Sequence, residues 1–303
     1  MGHNKYISML LLFIAALLWG FAFVAQELVA DIPPITVGAV RWFVGALFLF
    51  FVIMISDKVS KNGRKLVSKK GFDFTKSEIV GGFITGVIVS IASVFQQMGI
   101  SEGTSGGKAA FITALYVVLV PIYALFLRKR IKLNVWIAIF IAVIGFYFLC
   151  IKDDFSVVPS DIWIIISSAI YPIQILAIDH YAPKCDCIRM SCLQFFFAFL
   201  VSAMGALMFE PAVNWMELGT HIGPFLYLGI CSSGIAYTLQ IVGQRNVNPA
   251  VASLILSLES VFGLVGAMII LGTELSFKEY IGAAMIFLAV LISQIEFKKK
   301  NRV

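Results

Sequence analysis

The chain has 303 residues, 60% of them hydrophobic and only 13% charged, with a mean hydropathy of +0.96 and a formal net charge of +6. A soluble domain carries about a quarter charged residues, so this composition excludes a water-soluble globular protein and makes lipid the solvent. The basic balance does not point to nucleic acid, because the cations gather in short loops between apolar runs, as membrane orientation requires.

Along the chain, ten segments supply the roughly 20 mostly apolar residues that a spanning helix needs. They run over 6–29, 34–56, 78–101, 105–127, 134–151, 160–180, 187–208, 223–243, 249–271 and 277–297. The first run, Tyr6 to Val29, is too long for the apolar region of a signal peptide, and further spans follow it, so it reads as a helix. Pro34, Pro159 and Pro249 sit at or near first turns, where a missing N–H costs little. The longest connection, Asp57 to Lys76, leaves no room for a soluble catalytic domain. The expected fold is an all-α integral membrane protein.

Most of the 23 Lys and Arg fall on one side of this arrangement: Lys5, the 57–76 loop, the loop after span four, the 6–7 and 8–9 loops, and the C-terminal Lys298 to Arg302. The opposite loops hold Lys152 and Lys278. The positive side is cytoplasmic, which places both termini inside and the chain in the cell membrane. Five cysteines, Cys150, Cys185, Cys187, Cys192 and Cys231, form no ligand spacing with the three histidines, so no metal is expected. No Walker loop, zinc motif or nucleophile elbow appears. The Gly-rich 102–108, "EGTSGGK", lacks the Gly-Lys-Ser/Thr ending of a phosphate loop.

Sliding the chain against itself by 143 residues aligns 81–128 with 224–271 without a gap. Gly86 then meets Gly229, Gln97 meets Gln240, Leu115 meets Leu258 and Tyr116 meets Glu259. At an offset of 152, Trp19 meets Tyr171 and Glu27 meets Asp179; at 148, Arg41 meets Arg189. The reading is two five-helix repeats, 1–151 and 152–303. Five is odd, so the second repeat enters the membrane from the opposite side, and the two enclose a central cavity.

The stretches 104–132, "TSGGKAAFITALYVVLVPIYALFLRKRIK", and 237–292, "YTLQIVGQRNVNPAVASLILSLESVFGLVGAMIILGTELSFKEYIGAAMIFLAVLI", resemble the EamA-like branch of the drug/metabolite transporter superfamily, as does Trp19-Gly20 in the first helix. The turn Gly272-Thr273-Glu274-Leu275 is one residue longer than the family's Gly-Glu-Leu. The resemblance covers nearly the whole chain. It implies ten helices around a cavity, alternating access, no ATP and no cofactor.

Glu259 lies ten residues into span nine, roughly 15 Å deep and half of the ≈30 Å core. A charge there costs about 2.5–3.5 kcal/mol on insertion scales, so the carboxyl must face protein or water. It is either a substrate or proton site or a hydrogen-bonded tie between helices. Trp19, Ser90, Tyr116, Tyr171 and Ser233 reach similar depth and complete the expected substrate-binding set. Glu27 with Arg41, near Lys108, and Asp179 with Arg189 are expected as gating pairs at the outer and inner mouths; interfacial snorkelling is the alternative.

One acid and no base at the midplane favour an amine-bearing, cationic or zwitterionic solute such as an amino acid. The expected activity is secondary-active transport by alternating access, with protons as the candidate coupling ion; a homodimer is admitted. The rival readings are a membrane-embedded enzyme using Glu27 and a non-transporting membrane subunit.

Overall fold

The computed structural model describes residues 2–59, 73–150, 158–213 and 215–294, and every regular element among them is helical. The basic residues of 60–72 and 298–302, and Lys152, lie outside the described residues. The spans are α1 (Gly2–Glu27), α2 (Pro34–Val59), α3 (Lys76–Ser101), α4 (Gly106–Phe126), α5 (Leu133–Cys150), α6 (Asp161–Tyr181), α7 (Cys187–Phe209), α8 (Ile222–Gln244), α9 (Pro249–Leu271) and α10 (Phe277–Gln294). Nine are long and apolar enough to cross a bilayer among the described residues; α5 is the shorter tenth.

Starts are set by local chemistry. Thr75 and Glu78 form a reciprocal capping box on α3, Asp186 caps α7, and Asn248 with Pro249 opens α9. Gly272 closes α9 in the left-handed conformation, where a Cβ would be strained.

The main helix pairs are preserved when each helix of the first five is exchanged for its counterpart in the second. The pairs α1–α8 and α1–α9 are answered by α6–α3 and α6–α4. The pairs α2–α7, α4–α9 and α5–α10 map onto themselves. Two five-helix units arranged about a two-fold produce this pattern, and α1, α3, α4, α6, α8 and α9 surround the centre.

Helix association in lipid relies on close backbone approach at small residues. A Cβ on Gly86 would stand 2.4 Å from the Gln194 carbonyl oxygen of α7, and one on the aligned Gly229 would stand 2.3 Å from Val44 of α2. An equally tight crossing joins α1 to α9, where a Cβ on Gly20 would lie 2.3 Å from Cβ of Phe262 and 2.7 Å from the Gly263 nitrogen.

Two helices are broken. α4 interrupts at Leu115 and α9 at Ser257–Leu258, each through a tight i→i+3 turn. Leu115 has φ −60°, ψ −15° and Leu258 has φ −59°, ψ −14°. These are the residues aligned at the 143-residue offset, so both repeats break at one register. α8 contains a π-helical stretch, Tyr227–Tyr237.

The α1–α9 crossing leaves no space for a methyl group. Gly20→Ala should therefore destabilise the protein by about 1–3 kcal/mol, read as a lower melting temperature in detergent, while Gly219→Ala, with open space around it, should leave that temperature unchanged.

Candidate functional site

Each broken helix resumes on a polar residue that faces the centre. Tyr116 begins the second half of α4 and Glu259 the second half of α9. Both line one central cavity of about 40 Å³, together with Trp19, Gln26, Arg41, Gln96, Thr113, Tyr171, Gln174, Ser232, Tyr237 and Gln240. Glu259 is 4% exposed, and its Oε1 has no hydrogen-bond partner among the described residues.

Arg41 changes the expected electrostatics. It is 4% exposed and lines the same cavity as Glu259, so the expectation of an acid without a base at the centre is overturned. Its Cα lies only seven residues into α2, but the long side chain carries the guanidinium inward. Nη1 donates to Gln26 Oε1 at 3.2 Å and Ser93 Oγ at 3.3 Å, and Nη2 to Ser232 Oγ at 3.0 Å. The guanidinium carbon lies 4.5 Å from the Trp42 ring centroid, a cation–π contact. Nε makes no hydrogen bond among the described residues.

A directed chain continues from there. Gln26 Nε2 donates to Gln96 Oε1 at 3.0 Å, and Gln96 Nε2 donates to Thr113 Oγ1 at 2.9 Å, two residues before the break in α4. Trp19 Nε1 donates to the Ser232 carbonyl at 3.1 Å, and its ring packs edge-on to Tyr237 at 4.5 Å. Gln174 and Gln240 form an amide pair at 3.3 and 3.4 Å.

Of the six residues expected to bind substrate, Trp19, Tyr116, Tyr171 and Glu259 meet at the cavity. Ser90 and Ser233 do not line it. Ser90 hydrogen-bonds Ser202 of α7 at 2.8 Å, and Ser233 donates to the Leu228 carbonyl within α8 at 2.7 Å. The sequence reading missed Gln26, Gln96, Thr113, Gln174, Ser232 and Tyr237. The available signal was an amide or hydroxyl repeated inside apolar spans.

The expected gating pairs are replaced by others. Glu27 does not meet Arg41; its Oε2 accepts from the Gly106 amide at the start of α4, at 2.8 Å. Lys108 pairs with Asp161 at 2.5 Å, and Asp179 pairs with Lys129 rather than Arg189. Arg189 Nε stands 3.9 Å from Glu78 Oε2. The reason is geometric: α4 lies against α6, so Lys108 and Lys129 meet acids at the two ends of α6, whereas Arg41 is drawn inward by the polar centre. Alignment of the repeats relates positions between halves and says nothing of which side chains face each other across helices.

The two repeats differ around Arg41. At the offsets 152, 143 and 143, its partners Gln26, Ser93 and Ser232 correspond to Ile178, Ala236 and Val89. Those three apolar positions offer Arg189, the counterpart of Arg41, no polar cradle of this kind.

Cys185, in the connection between α6 and α7, is buried. Desolvation, then the Glu78 carboxylate, pushes its thiol up to about 11, so it is no thiolate at neutral pH.

Comparison with known proteins follows the same outline. The model of the EamA-like transporter family matches residues 6–151 and again 158–294. An uncharacterized transporter of Archaeoglobus fulgidus is 28% identical over 96% of this chain and 87% of its own. The uncharacterized transporter YoaV of Bacillus subtilis is 20% identical over 94% of this chain and 96% of its own. A solved crystal structure superposes with a TM-score of 0.72 at 17% identity, over 96% of this chain and 97% of that one, which shows a shared fold.

Gln96 joins α1, α3 and α4, so Gln96→Leu should strand the Gln26 amide and cost about 1–3 kcal/mol. A fall in detergent melting temperature is the expected reading.

Proposed function

The chain belongs to the EamA-like transporter family, and from that premise we propose that it is a secondary-active permease of the cell membrane, moving a small zwitterionic solute of amino-acid-like charge pattern by alternating access. The observation that carries this is the presence of Arg41 and Glu259 on one buried cavity. Arg41 suits a carboxylate, which accepts bidentate or Nε-directed hydrogen bonds. Glu259 suits an ammonium group. A purely cationic solute would meet repulsion from Arg41, so the zwitterion is favoured over the cation.

Five aromatic rings, Trp19, Phe23, Tyr116, Tyr171 and Tyr237, line the cavity and provide an apolar and cation-attracting wall. The volume of about 40 Å³ admits a few waters. A solute of amino-acid size needs the surrounding helices to part, and the register-matched breaks in α4 and α9 supply joints on two sides of the cavity. Exchange of a proton at Glu259 against the incoming ammonium gives antiport.

The rival enzymatic reading needed Glu27 as an acid at one face. The Glu27 carboxylate accepts from the Gly106 amide at the start of α4, a structural role that favours the transport reading.

The charge distribution orients both termini, the α4–α5 loop and the α6–α7 connection to the cytoplasm. A cysteine in place of Arg128, which is exposed, should be labelled by an impermeant maleimide only after cells are opened; labelling of intact cells would reverse the orientation.

Transport is tested with purified protein in proteoliposomes and a panel of isotope-labelled amino acids. Glu259→Gln should abolish flux driven by a pH gradient while leaving substrate exchange. Arg41→Gln should raise KM for zwitterions about ten- to a hundredfold, the loss of a charged hydrogen bond worth roughly 1.5–3 kcal/mol, and should spare amines that lack a carboxylate. Parent rate and pH dependence in Glu259→Gln would make the carboxyl a structural tie.

A further inference from the structure

A second cavity, of about 420 Å³, opens on the lipid-facing side between α2 and α7. Its lining is apolar and includes Phe43 and Phe50 of α2, Cys192 and Phe199 of α7, and Phe74 from the turn before α3. On α7 the groove runs from one turn beyond Arg189 to Phe199. Arg189 to Phe199 is ten residues, or roughly 15 Å of helix. That is about half of the ≈30 Å hydrocarbon core, the depth of one leaflet. The groove therefore starts at the headgroup level of α7's N-terminal side and ends at the bilayer centre.

The shallow end adjoins an unusual cation. Arg189 is 0% exposed, and Nε, Nη1 and Nη2 all lack a hydrogen bond among the described residues. Glu78 lies 3.9 Å from Nε, close enough to balance charge and too far to accept a hydrogen bond. The Glu78 oxygens already accept from the Thr75 and Asp186 amides, at 2.7 and 3.1 Å. The guanidinium carbon stands 4.8 Å from the centroid of Phe74, the ring that also lines the groove. A buried guanidinium with all its donors unfilled is costly, and this one sits behind the ring that closes a channel of acyl-chain depth.

We infer that an anionic phospholipid of that leaflet lodges one acyl chain in the α2–α7 groove and sets its phosphodiester oxygens on the Arg189 guanidinium. The phosphodiester supplies the acceptors that Glu78 does not, in the planar geometry that arginine matches. Phe74 turns aside to let head and guanidinium meet. The lipid then ties α2, α3 and α7 together on the face away from the substrate cavity. This inference rests on the fold and not on the transport reading, so the two fail separately.

The test uses full-length protein, delipidated in detergent, with three probes: dioleoyl phosphatidylglycerol, dioleoylglycerol with the same chains and no phosphate, and glycerol 3-phosphate with no chains. Binding is read by native mass spectrometry and by melting temperature. Phosphatidylglycerol should bind and stabilise, and the other two should not. Arg189→Gln and Leu47→Trp, the latter filling the groove without touching Arg189, should each weaken phosphatidylglycerol about tenfold. Arg189→Lys, which keeps the charge and loses the planar fork, covers the case in which Arg189→Gln does not fold, and should also bind more weakly. Equal stabilisation by dioleoylglycerol would reduce the groove to general lipid contact, and equal binding of glycerol 3-phosphate would make it a soluble-phosphate site. Parent affinity in Leu47→Trp and in whichever Arg189 variant folds would overturn the site altogether.

Discussion

An arginine donates up to five hydrogen bonds and accepts none. Placed by α2 within a lipid-solvated bundle, Arg41 can be answered only by protein or by what the cavity holds, because the surrounding hydrocarbon offers no acceptor. That one-way demand sets the polarity of its neighbours. The Gln26 carbonyl must turn toward Arg41, so its amide points on to Gln96, whose own amide then points to Thr113. A single cation on α2 thus fixes side-chain orientation across α1, α3 and α4, and the polar column it organises runs through the middle of an otherwise greasy protein.

The same constraint explains how the two helix breaks persist. A break frees backbone carbonyls, which lipid cannot satisfy, so it survives only against protein or a cavity. In α9 the hydroxyls of Ser253, Ser257 and Ser260 fold back onto the carbonyls of Ala250, Leu254 and Ser257 at 3.0, 2.8 and 2.8 Å. Such back-bonding bends helices, and here it flanks the interruption that delivers Glu259 to the cavity. Close glycine crossings on α1, α3 and α8 hold the neighbouring helices near enough to keep these groups dry.

Much of this was legible in the sequence because apolar run length and a gapless internal offset report directly on spans and on repeat register. The offset that joined Leu115 to Leu258 is the one at which the helices break. Side-chain reach and rotation were less legible. Counting residues along α2 locates the Arg41 Cα and misses several ångströms of side chain. Ser90 has the right depth on α3 but faces α7, while Ser93 and Gln96 face inward. In α8 the π-helical stretch widens the turn, so residue spacing there no longer predicts a face by the 3.6-residue rule. Ion pairs were the least legible, since they depend on which helices become neighbours.

The polar cradle around Arg41 has no counterpart at Ile178, Ala236 and Val89, the positions that the repeat places around Arg189. Two identical inverted halves would make outward- and inward-facing conformations related by a two-fold rotation in the membrane plane, with equal energies. Here the halves have diverged where the guanidinium that lines the central cavity is held. Under the alternating-access cycle proposed above, the two half-cycles would be energetically unequal, and a solute approaching from one side of the membrane would meet a differently furnished vestibule from one approaching from the other. A carrier working by that cycle would rectify: at equal solute concentrations its apparent affinity, and the resting bias of its empty form, would belong to a side of the membrane as well as to the solute.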